Sequence, residues 1–275
     1  MTKFPGSFPF TKAHAYGNDF LYVRREAVDG RPFDALAREL CNRHTGVGAD
    51  GLIVFVPTPE GAAMQLFNAD GGRAEVSGNG VRGLGALLLR DRPAGQSTNR
   101  VTIHTEAGAK QLTRLEGRDA DARQTFRTAM GLPRDLRQIQ IAAGGHSLTL
   151  VVMDFGNPQA VLLGPLPDQT RFESIGHSLE RHPQFPEGTN VEFAAVEAPD
   201  TVRILIWERG VGPTTSSGTG SCAALVAAAA YGGARREADV IAPGGAQRVE
   251  WLDDSVYLTG WAEILFDGEW LRDRS

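Results

Sequence analysis

The sequence predicts an α+β fold made of two similar halves. Three observations support this prediction: short extended runs separated by turn signals, few helix-like runs, and an internal repeat with an offset of 140 residues (217 minus 77). The chain has 275 residues, which is enough for two domains of ordinary size. Its 33 glycines and 15 prolines indicate many turns between short elements.

The predicted strands are apolar runs rich in β-branched and aromatic residues, each bounded by turn-forming residues. They cover residues 20–26, 51–57, 64–70, 101–107, 147–156, 191–197 and 201–208. Helix-like runs cover residues 33–44, 80–91 and 220–232. The last run is rich in alanine and follows a Ser-Gly-Thr-Gly cluster, which is typical of a helix start. The polar segment 114–136 is interpreted as a connection and an edge strand.

The internal repeat is clearest around two serines. MQLFNADGGRAEVSGNG at 64–80 and ILIWERGVGPTTSSGTG at 204–220 both pass from a strand-like run to a serine followed by Gly-x-Gly. The serines are Ser77 and Ser217. An offset near half the chain length predicts a duplication. We therefore expect domains at 1–132 and 133–275, with the last strand able to pack back on the first domain.

The repeated pattern also predicts a kind of chemistry. The first turn of a helix has unpaired backbone N–H groups and a partial positive charge, and preceding glycines leave these groups open to an anion. If two such openings face a shared cleft, they hold one carboxylate from two sides. The two serines then lie on opposite faces of the carbon that bears it. This geometry suits removal of a proton from one face and delivery to the other, which inverts a stereocentre.

Composition excludes several other functions. The formal net charge of -5 offers no basic surface for nucleic acid, and no apolar stretch approaches the length of a membrane span. The N-terminus does not resemble a secretory signal, so we expect a cytoplasmic protein. The six histidines and two cysteines show no zinc-type spacing, so we expect no metal and no cofactor. The glycine-rich stretches 46–51 and 77–83 lack the strand–helix context or the lysine of nucleotide loops.

A family resemblance runs along nearly the whole chain. The matching stretches are KAHAYGNDFLYV at 12–23, CNRHTGVGADGL at 41–52, LFNADGGRAEVSGNGVR at 66–82, FGNPQA at 155–160, FPEGTNVEF at 185–193, WERGVGPTTSSGTGSCAA at 207–224 and LTGWAEILFDGE at 258–269. With these motifs in this order, the chain resembles the diaminopimelate epimerases. These enzymes interconvert LL- and meso-diaminopimelate without a cofactor, on the lysine and cell-wall pathway. The resemblance implies two similar domains, each a strand-rich barrel around a central helix, an amino-acid substrate and a homodimer.

The resemblance places the catalytic bases at Ser77 and Ser217, where the family has cysteines. The chain's own cysteines, Cys41 and Cys222, lie elsewhere. A thiol at a helix N-terminus readily becomes a thiolate base, whereas a serine needs another group to take its proton. Neither His14 nor His44 is near a serine in sequence. Serine is also a preferred N-cap residue, so capping and anion binding are competing interpretations of both positions.

The resemblance also implies a set of binding residues. Asparagines would bind the amino-acid ends of the substrate, an arginine its distal carboxylate, a glutamate its ammonium group, and the helix openings would form an anion cradle. In that order, the residues are Asn18, Asn68, Asn157, Asn190, Arg209, Glu208, and then Gly78, Asn79, Gly218 and Thr219. The competing interpretations are local turns for the asparagines, a surface ion pair for the arginine and an ordinary strand end for the glutamate. We expect local structural roles for four other acidic residues, Asp19, Asp50, Asp70 and Glu75, although Asp70 and Glu75 are also close to Ser77 in sequence.

Three further departures from the family pattern bear on activity. Gln159 stands where histidine is usual, Gly83 where cysteine is common, and Pro213 where an acidic residue is usual. Together with the two serines, they favour natural divergence over deliberate substitution. Three hypotheses remain open: an epimerase, an amino-acid-binding protein without turnover, and an isomerase whose single base is a carboxylate such as Asp70 or Glu75.

Overall fold

The computed structural model describes residues 6–92, 98–116, 118 and 121–271. It divides into two compact units. The first contains the chain up to Arg127 together with the segment from Trp261 onward, and the second runs from Thr128 to Gly260. Each unit is a strand-rich barrel around one central helix. In the described residues, no helix has both the length and the apolar character needed to cross a membrane.

The chain folds into short strands interrupted by four helices within the described residues. The first series is β1 (Phe8–Ala15), β2 (Asn18–Arg24), α1 (Phe33–Leu40), β3 (Gly51–Thr58), β4 (Gly61–Asn68), β5 (Arg73–Ala74), α2 (Gly78–Arg90), β6 (Arg100–Thr105), β7 (Gly108–Glu116) and β8 (Arg123–Gly131). The second series is β9 (Arg134–Ala143), β10 (His146–Asp154), β11 (Pro158–Leu163), α3 (Gln169–Glu180), β12 (Asn190–Ala198), β13 (Thr201–Glu208), β14 (Gly212–Thr214), α4 (Gly218–Tyr231), β15 (Glu237–Ala242), β16 (Gly245–Trp251) and β17 (Val256–Trp270).

The two series have the same strand pairing. In the first unit β2 runs parallel to β3, β3 is antiparallel to β4, β4 is parallel to β6, and β6 is antiparallel to β7. In the second unit β11, β12, β13, β15 and β16 repeat these four relations in the same order. The pairing places the end of a strand and the start of a central helix at equivalent points in each unit. The predicted pseudo-symmetry is therefore confirmed.

Each central helix lies within its own apolar core. Helix α2 contributes Val81, Leu84 and Leu87 to a cluster that also contains residues of β1 to β4, β6 and β7. Helix α4 is buried on all sides along most of its length, which is why its sequence is almost entirely apolar and rich in alanine. The small side chains of α4 let the surrounding strands approach the helix closely. The central helices are therefore fixed supports for the residues at their N-termini.

All of the predicted helices and strands are confirmed, although the structure contains further elements and differs in three places. The seven predicted strands coincide with β2, β3, β4, β6, β10, β12 and β13, and the three predicted helices with α1, α2 and α4. However, α1 ends at Leu40, and α3 was not predicted. The segment at 114–136 was wrongly interpreted as a connection with one edge strand, since it contains the end of β7, all of β8 and the start of β9.

Candidate active site

The first helix opening is capped by Ser77. This residue has an extended backbone (φ -128°, ψ 122°), and its Oγ accepts a hydrogen bond of 3.2 Å from the backbone N–H of Gly80. The bond satisfies one of the free N–H groups of the first turn. A Cβ at Gly80 would lie 2.7 Å from Ile53 Cδ1, so the Ile53 side chain would have to shift to admit one. The opening therefore combines a serine cap with closely packed backbone.

A buried polar chain continues from this opening. Asn79 is almost fully buried, and its Nδ2 donates to Asn18 Oδ1 over 3.2 Å. Arg82 is 1% exposed and donates through Nη2 to Asn79 Oδ1. Its guanidinium also lies 5.7 Å from the centre of the Tyr16 ring. The structure thus brings together Ser77, Asn79 and Asn18 and places a buried cation one turn into α2.

The glycine at position 83 has a steric cause. A Cβ at Gly83 would lie 2.0 Å from the hydroxyl oxygen of Tyr22. That hydroxyl donates a hydrogen bond of 3.0 Å to the carbonyl oxygen of Gly80. Burial raises the pKa of the Tyr22 phenol, which therefore keeps its proton and remains a donor. In this chain a tyrosine occupies the space that a cysteine at position 83 would need.

The first two acidic candidates form an ion-pair network. Asp19 lies 2.9 Å from Lys12 Nζ, and Arg43 Nη2 lies 2.8 Å from both Asp19 Oδ1 and Asp50 Oδ1. Burial opposes ionisation of Asp19, but the hydrogen bonds from Arg43 and Lys12 hold its pKa below the usual range. Asp50 also accepts 2.8 Å from Asn18 Nδ2. These carboxylates therefore support Asn18, in agreement with a local role.

The other acidic candidates and Asn68 lie near the β4–β5 turn. The backbone N–H of Asn68 donates to the Gly72 carbonyl over 2.8 Å, and Asp70 Oδ1 accepts from the Gly72 N–H over 2.7 Å. Both contacts are typical of a residue that closes a turn. Glu75 is exposed two residues before Ser77. Asp70 and Glu75 are thus exposed residues in the segment that leads to the first helix opening.

The histidines and cysteines occupy other positions. The His14 ring packs edge-on against Trp261 at 5.2 Å between ring centres, with Nε2 3.8 Å from Glu263. His44 is exposed after α1. Burial raises the pKa of the Cys41 thiol to about 12, so this group stays protonated at neutral pH. Cys222 is buried within α4.

The second helix opening repeats the first. Ser217 has an extended backbone (φ -138°, ψ 129°), and its Oγ accepts 3.1 Å from the Gly220 N–H. Gly218 follows as the first residue of α4, and Thr219 Oγ1 accepts a long bond of 3.4 Å from Asn157 Nδ2. Ser217 is 8% exposed. Both serines are thus N-caps, as the capping interpretation requires, and that role does not exclude contact with a ligand.

Two amides organise the strand ends beside this opening. Gln159 is buried and donates from Nε2 to Asn157 Oδ1 over 2.7 Å. The Asn190 amide donates to the Pro158 carbonyl over 3.1 Å and accepts 3.0 Å from the Arg209 backbone N–H. Asn190 therefore fastens the starts of β11 and β12 to the end of β13. These bonds give Asn190 a structural role between three strands, which is compatible with the binding interpretation.

Arg209 retains a guanidinium group with capacity for a ligand. Its Nη1 donates to the Glu187 carbonyl over 3.0 Å, and the side chain is half-buried. Within the described residues, Arg209 forms no ion pair, so the surface-pair interpretation has no support there. A half-buried guanidinium with free donors is suited to a carboxylate.

A buried carboxyl lies beneath the second opening and was not predicted from the sequence. Glu192 is fully buried on β12, and neither of its carboxyl oxygens has a hydrogen-bond partner among the described residues. Its Oε1 lies 2.6 Å from the position of a Cβ at Gly220. Burial raises the pKa of Glu192 well above its usual range, and the negative charge of Glu208 adds to the rise. The only sequence signal was a charged residue inside an otherwise apolar run, Val191 to Phe193.

A second polar layer supports the same opening. The Ser221 hydroxyl lies 2.8 Å from the Ser217 carbonyl oxygen and 2.7 Å from Gln247 Oε1, and all three residues are buried. The equivalent of Ser221 in α2, 140 residues earlier, is the apolar Val81. The two openings therefore have the same backbone but different surroundings: a buried arginine follows the first, and buried hydroxyl, amide and carboxyl groups surround the second. In the described part of the chain, no cluster of His, Cys, Asp and Glu could hold a metal ion.

Comparison with known proteins places this geometry in context. A family model described as diaminopimelate epimerase matches residues 10–131 and 151–265. A diaminopimelate epimerase from Desulforudis audaxviator (strain MP104C) is 40% identical over 282 residues, covering 96% of this chain and 99% of that protein. One from Pelotomaculum thermopropionicum (strain DSM 13744 / JCM 10971 / SI) is 37% identical over 281 residues, covering 95% and 98%. The solved structure of a predicted epimerase from Pseudomonas aeruginosa shares the fold, with a TM-score of 0.74 at 16% identity, covering 97% of this chain and all of that one.

Proposed function

Because the chain belongs to the diaminopimelate epimerase family, we propose that it interconverts LL- and meso-diaminopimelate by cofactor-independent proton transfer. The chain is an isomerase of the epimerase type; the substrate and the part played by its serines belong to the proposal. The same proposal includes a cytoplasmic homodimer.

One observation carries the proposal: each unit has a serine-capped helix opening of the same construction. Ser77 and Ser217 both accept from the third residue of the helix, with bonds of 3.2 and 3.1 Å. An epimerase needs one proton-transfer group for each face of the α-carbon. The duplicated opening supplies two hydroxyl groups at equivalent positions, and the free backbone N–H groups of each first turn are suited to a carboxylate.

The remaining predicted residues have complementary roles in this proposal. Asn18, Asn68, Asn157 and Asn190 bind the ammonium and carboxylate groups at the reacting end, together with Glu208 and the backbone at Gly78, Asn79, Gly218 and Thr219. Arg209 binds the distal carboxylate with the donors that its contact to Glu187 leaves available. A hydroxyl is a weak acid and a weak base, so each serine acts only when another group takes or supplies its proton.

The capping bonds also favour a second candidate function. Since each serine already has a structural task, the chain could bind the amino acid without inverting it. A binding protein needs the backbone N–H groups and the amides and does not need an ionisable group at position 77 or 217.

Deuterium exchange separates these functions. The protein is incubated with LL- or meso-diaminopimelate in heavy water, and the α-hydrogen and the stereochemistry are followed by NMR. We expect exchange with inversion in the unmodified protein and loss of inversion in Ser77→Ala and Ser217→Ala. The control is Ser147→Ala, which removes an exposed hydroxyl on β10.

Three results contradict the proposal. Ligand-induced thermal stabilisation without exchange supports the binding protein. Exchange that survives in both serine variants and disappears in Asp70→Asn or Glu75→Gln supports an isomerase with a carboxylate base. If the protein shows no exchange and no ligand-induced stabilisation, diaminopimelate is excluded as its ligand.

A further inference from the structure

We infer that Glu192 is the group that takes the hydroxyl proton of Ser217 when Ser217 acts as a base, an inference that rests on the proposed function. Glu192 is thereby a positioning and proton-accepting residue that acts through Ser217 and does not itself touch the substrate. The two serines are then chemically unequal.

The geometry brings the two groups to one point. The position of a Cβ at Gly220 lies 2.6 Å from Glu192 Oε1 and 3.1 Å from Ser217 Oγ. Gly220 also donates its backbone N–H to Ser217 Oγ. Because Gly220 has no side chain, the space next to both the carboxyl and the hydroxyl is left open. The carboxyl oxygen and the serine hydroxyl therefore lie within 3.1 Å of the same point.

Glu192 has no other visible task. It is fully buried, and both carboxyl oxygens lack a partner among the described residues. A buried polar group without a partner costs free energy, so its retention indicates a use. By contrast, the buried carboxyl of Glu180 is satisfied by the Trp207 indole N–H at 2.7 Å and the Gly210 N–H at 2.9 Å. The structure therefore distinguishes a structural buried glutamate from one that has spare capacity.

The first unit lacks this group. In that unit, Ile53 occupies the equivalent position, and its Cδ1 lies 2.7 Å from the Cβ position at Gly80. The buried charge near that opening is the cation of Arg82. A carboxyl near Ser217 favours acceptance of a proton, whereas a cation near Ser77 does not. The asymmetry assigns the carboxyl-assisted step to the face that Ser217 serves.

The proton-transfer step balances with the groups present. Ser217 Oγ takes the α-proton of the substrate, its own hydroxyl proton passes to the Glu192 carboxylate, and the electrons of the broken C–H bond remain on the substrate carbanion. Ser77 then donates its proton to the opposite face of that carbon and is left as an alkoxide, which is reprotonated by solvent as Glu192 loses its proton. The reverse direction uses the same transfers in reverse order.

The surroundings decide which form of Glu192 is present at rest. Among the described residues, the charge that acts on Glu192 is that of Glu208, at the end of β13; Glu192 itself lies opposite Ile206 of that strand. No lysine, arginine or histidine occurs in β11, β14 or α4, and the titratable groups of α4 are Cys222 and Tyr231. Burial and the charge of Glu208 raise the pKa of Glu192, so the resting group is the neutral acid at low pH. The carboxylate forms as pH rises, and proton abstraction on this face rises with it.

The kinetic test uses variants of similar size. Glu192→Gln removes the proton-accepting group, Glu192→Ile reproduces the first unit, and Glu192→Asp keeps a carboxyl. The control is Glu197→Gln on the same strand, which removes an exposed carboxylate paired with Arg203 at 2.5 Å. The substrate isomer whose α-hydrogen faces Ser217 is identified as the one whose exchange Ser217→Ala stops.

We expect Glu192→Gln and Glu192→Ile to slow exchange of that isomer by about 100-fold, the usual contribution of a positioned base. Exchange at the other face is slowed less. Glu192→Asp recovers part of the rate and the rising limb of the pH profile, and Glu197→Gln changes neither. If Glu192→Gln and Glu192→Ile fold and exchange like the unmodified protein while Ser217→Ala does not, the inference is wrong and the proposed function stands.

A second measurement is independent of turnover. The carboxyl carbon of Glu192 is assigned by comparing ¹³C NMR spectra of the unmodified protein and Glu192→Gln, and is titrated in the unmodified protein, Ser217→Ala and Ser77→Ala. We expect Ser217→Ala to raise the midpoint, because a hydroxyl able to donate to the carboxylate is lost, and Ser77→Ala to leave it unchanged. An identical midpoint in all three proteins overturns the inference even if the protein exchanges no substrate.

Discussion

Glu192 and Ile53 occupy equivalent places beneath two equivalent helix openings. Oε1 of the glutamate and Cδ1 of the isoleucine lie 2.6 and 2.7 Å from the Cβ positions at Gly220 and Gly80, respectively. One site thus accepts either a carboxyl or a hydrocarbon of similar size. The first unit therefore shows how the same fold is built without the carboxyl, and it serves as a reference for the effects of Glu192 on stability and proton transfer.

Replacing Glu192 with isoleucine is expected to stabilise the protein at neutral and alkaline pH. The folded-state pKa of Glu192 lies above its unfolded value of about 4.3. The folded protein therefore binds the proton more tightly, and its stability falls as pH rises from the unfolded pKa through the folded pKa. Glu192→Ile lacks this loss. Its free energy of unfolding, compared with that of the unmodified protein, is therefore about 1 kcal/mol or more higher at pH 8 than at pH 4, as measured by urea unfolding.

Glu197→Gln controls for the loss of a negative charge on the same strand. In the unmodified protein, the hydrogen bond from Arg203 lowers the pKa of Glu197. Removing Glu197 therefore changes the pH dependence of stability only below the pKa of an unfolded glutamate. Between pH 5 and pH 8 this variant follows the unmodified protein. Parallel stability curves for the unmodified protein and Glu192→Ile over that range contradict the assignment of a raised pKa.

Restoring cysteine at both serine positions is expected to increase α-hydrogen exchange by at least about 10-fold. A thiol at a helix N-terminus is easily ionised, and the thiolate is a better base than a neutral hydroxyl. The measurement compares the two single variants with Ser77→Cys/Ser217→Cys. Each single variant speeds exchange mainly for the isomer whose α-hydrogen faces the substituted position. No gain in the double variant means that other parts of the site have also diverged, with Gln159 the first residue to examine.

The serine caps are expected to contribute to stability independently of activity. Ser77→Ala removes the acceptor for the Gly80 N–H and costs about 1 kcal/mol of unfolding free energy. Ser77→Asn, which supplies another capping oxygen, costs less than Ser77→Ala. Thermal or urea unfolding checks both variants. Equal stability of the unmodified protein and Ser77→Ala contradicts the capping role. A cysteine at 77 is also a poorer cap than serine. A variant with this cysteine is therefore expected to unfold more easily, even though it exchanges the α-hydrogen faster.

Replacing Gly83 with alanine is expected to destabilise the first unit by about 1–3 kcal/mol, because the added carbon meets the Tyr22 hydroxyl 2.0 Å away. Tyr22→Phe removes that oxygen and reduces the cost in a double-mutant cycle. The matched control is Gly85→Ala, since the nearest atom there is Leu112 Cδ2 at 3.1 Å and alanine favours the helix. Additive effects of Gly83→Ala and Tyr22→Phe contradict the steric explanation.

The repeated architecture was predictable because equivalent residues of the two halves are still recognisable in the sequence. Ser77 and Ser217 keep the same distance from the strands before them, and the apolar runs of β4 and β13 are easily identified. By contrast, α3 was missed although Phe172, Ile175 and Leu179 have the i, i+3, i+7 spacing of an amphipathic helix. Strand β8 was missed because two of its buried positions are Gln124 and Thr128, which obscure the alternation.

The candidate site was predictable in its positions and only partly in its chemistry. The residues at the two openings were found because the family motifs place them there. Glu192 was passed over as an ordinary member of a strand, since sequence alone does not show which face of β12 turns toward α4. The cause of Gly83 was equally hidden, because Tyr22 is 61 residues away in sequence. Such contacts depend on packing between elements, which residue spacing does not encode.

The last strand has a consequence for anyone who wishes to produce half of this protein. β17 begins in the second unit and ends in the first, where Phe8 pairs with Trp270 and His14 with Glu263 along β1. A fragment ending at residue 132 lacks those partners, so the backbone edge of β1 and the buried rings of Phe8 and Phe10 become exposed to solvent. Such a fragment is expected to aggregate when expressed alone and to become soluble when a peptide covering residues 261–271 is supplied with it.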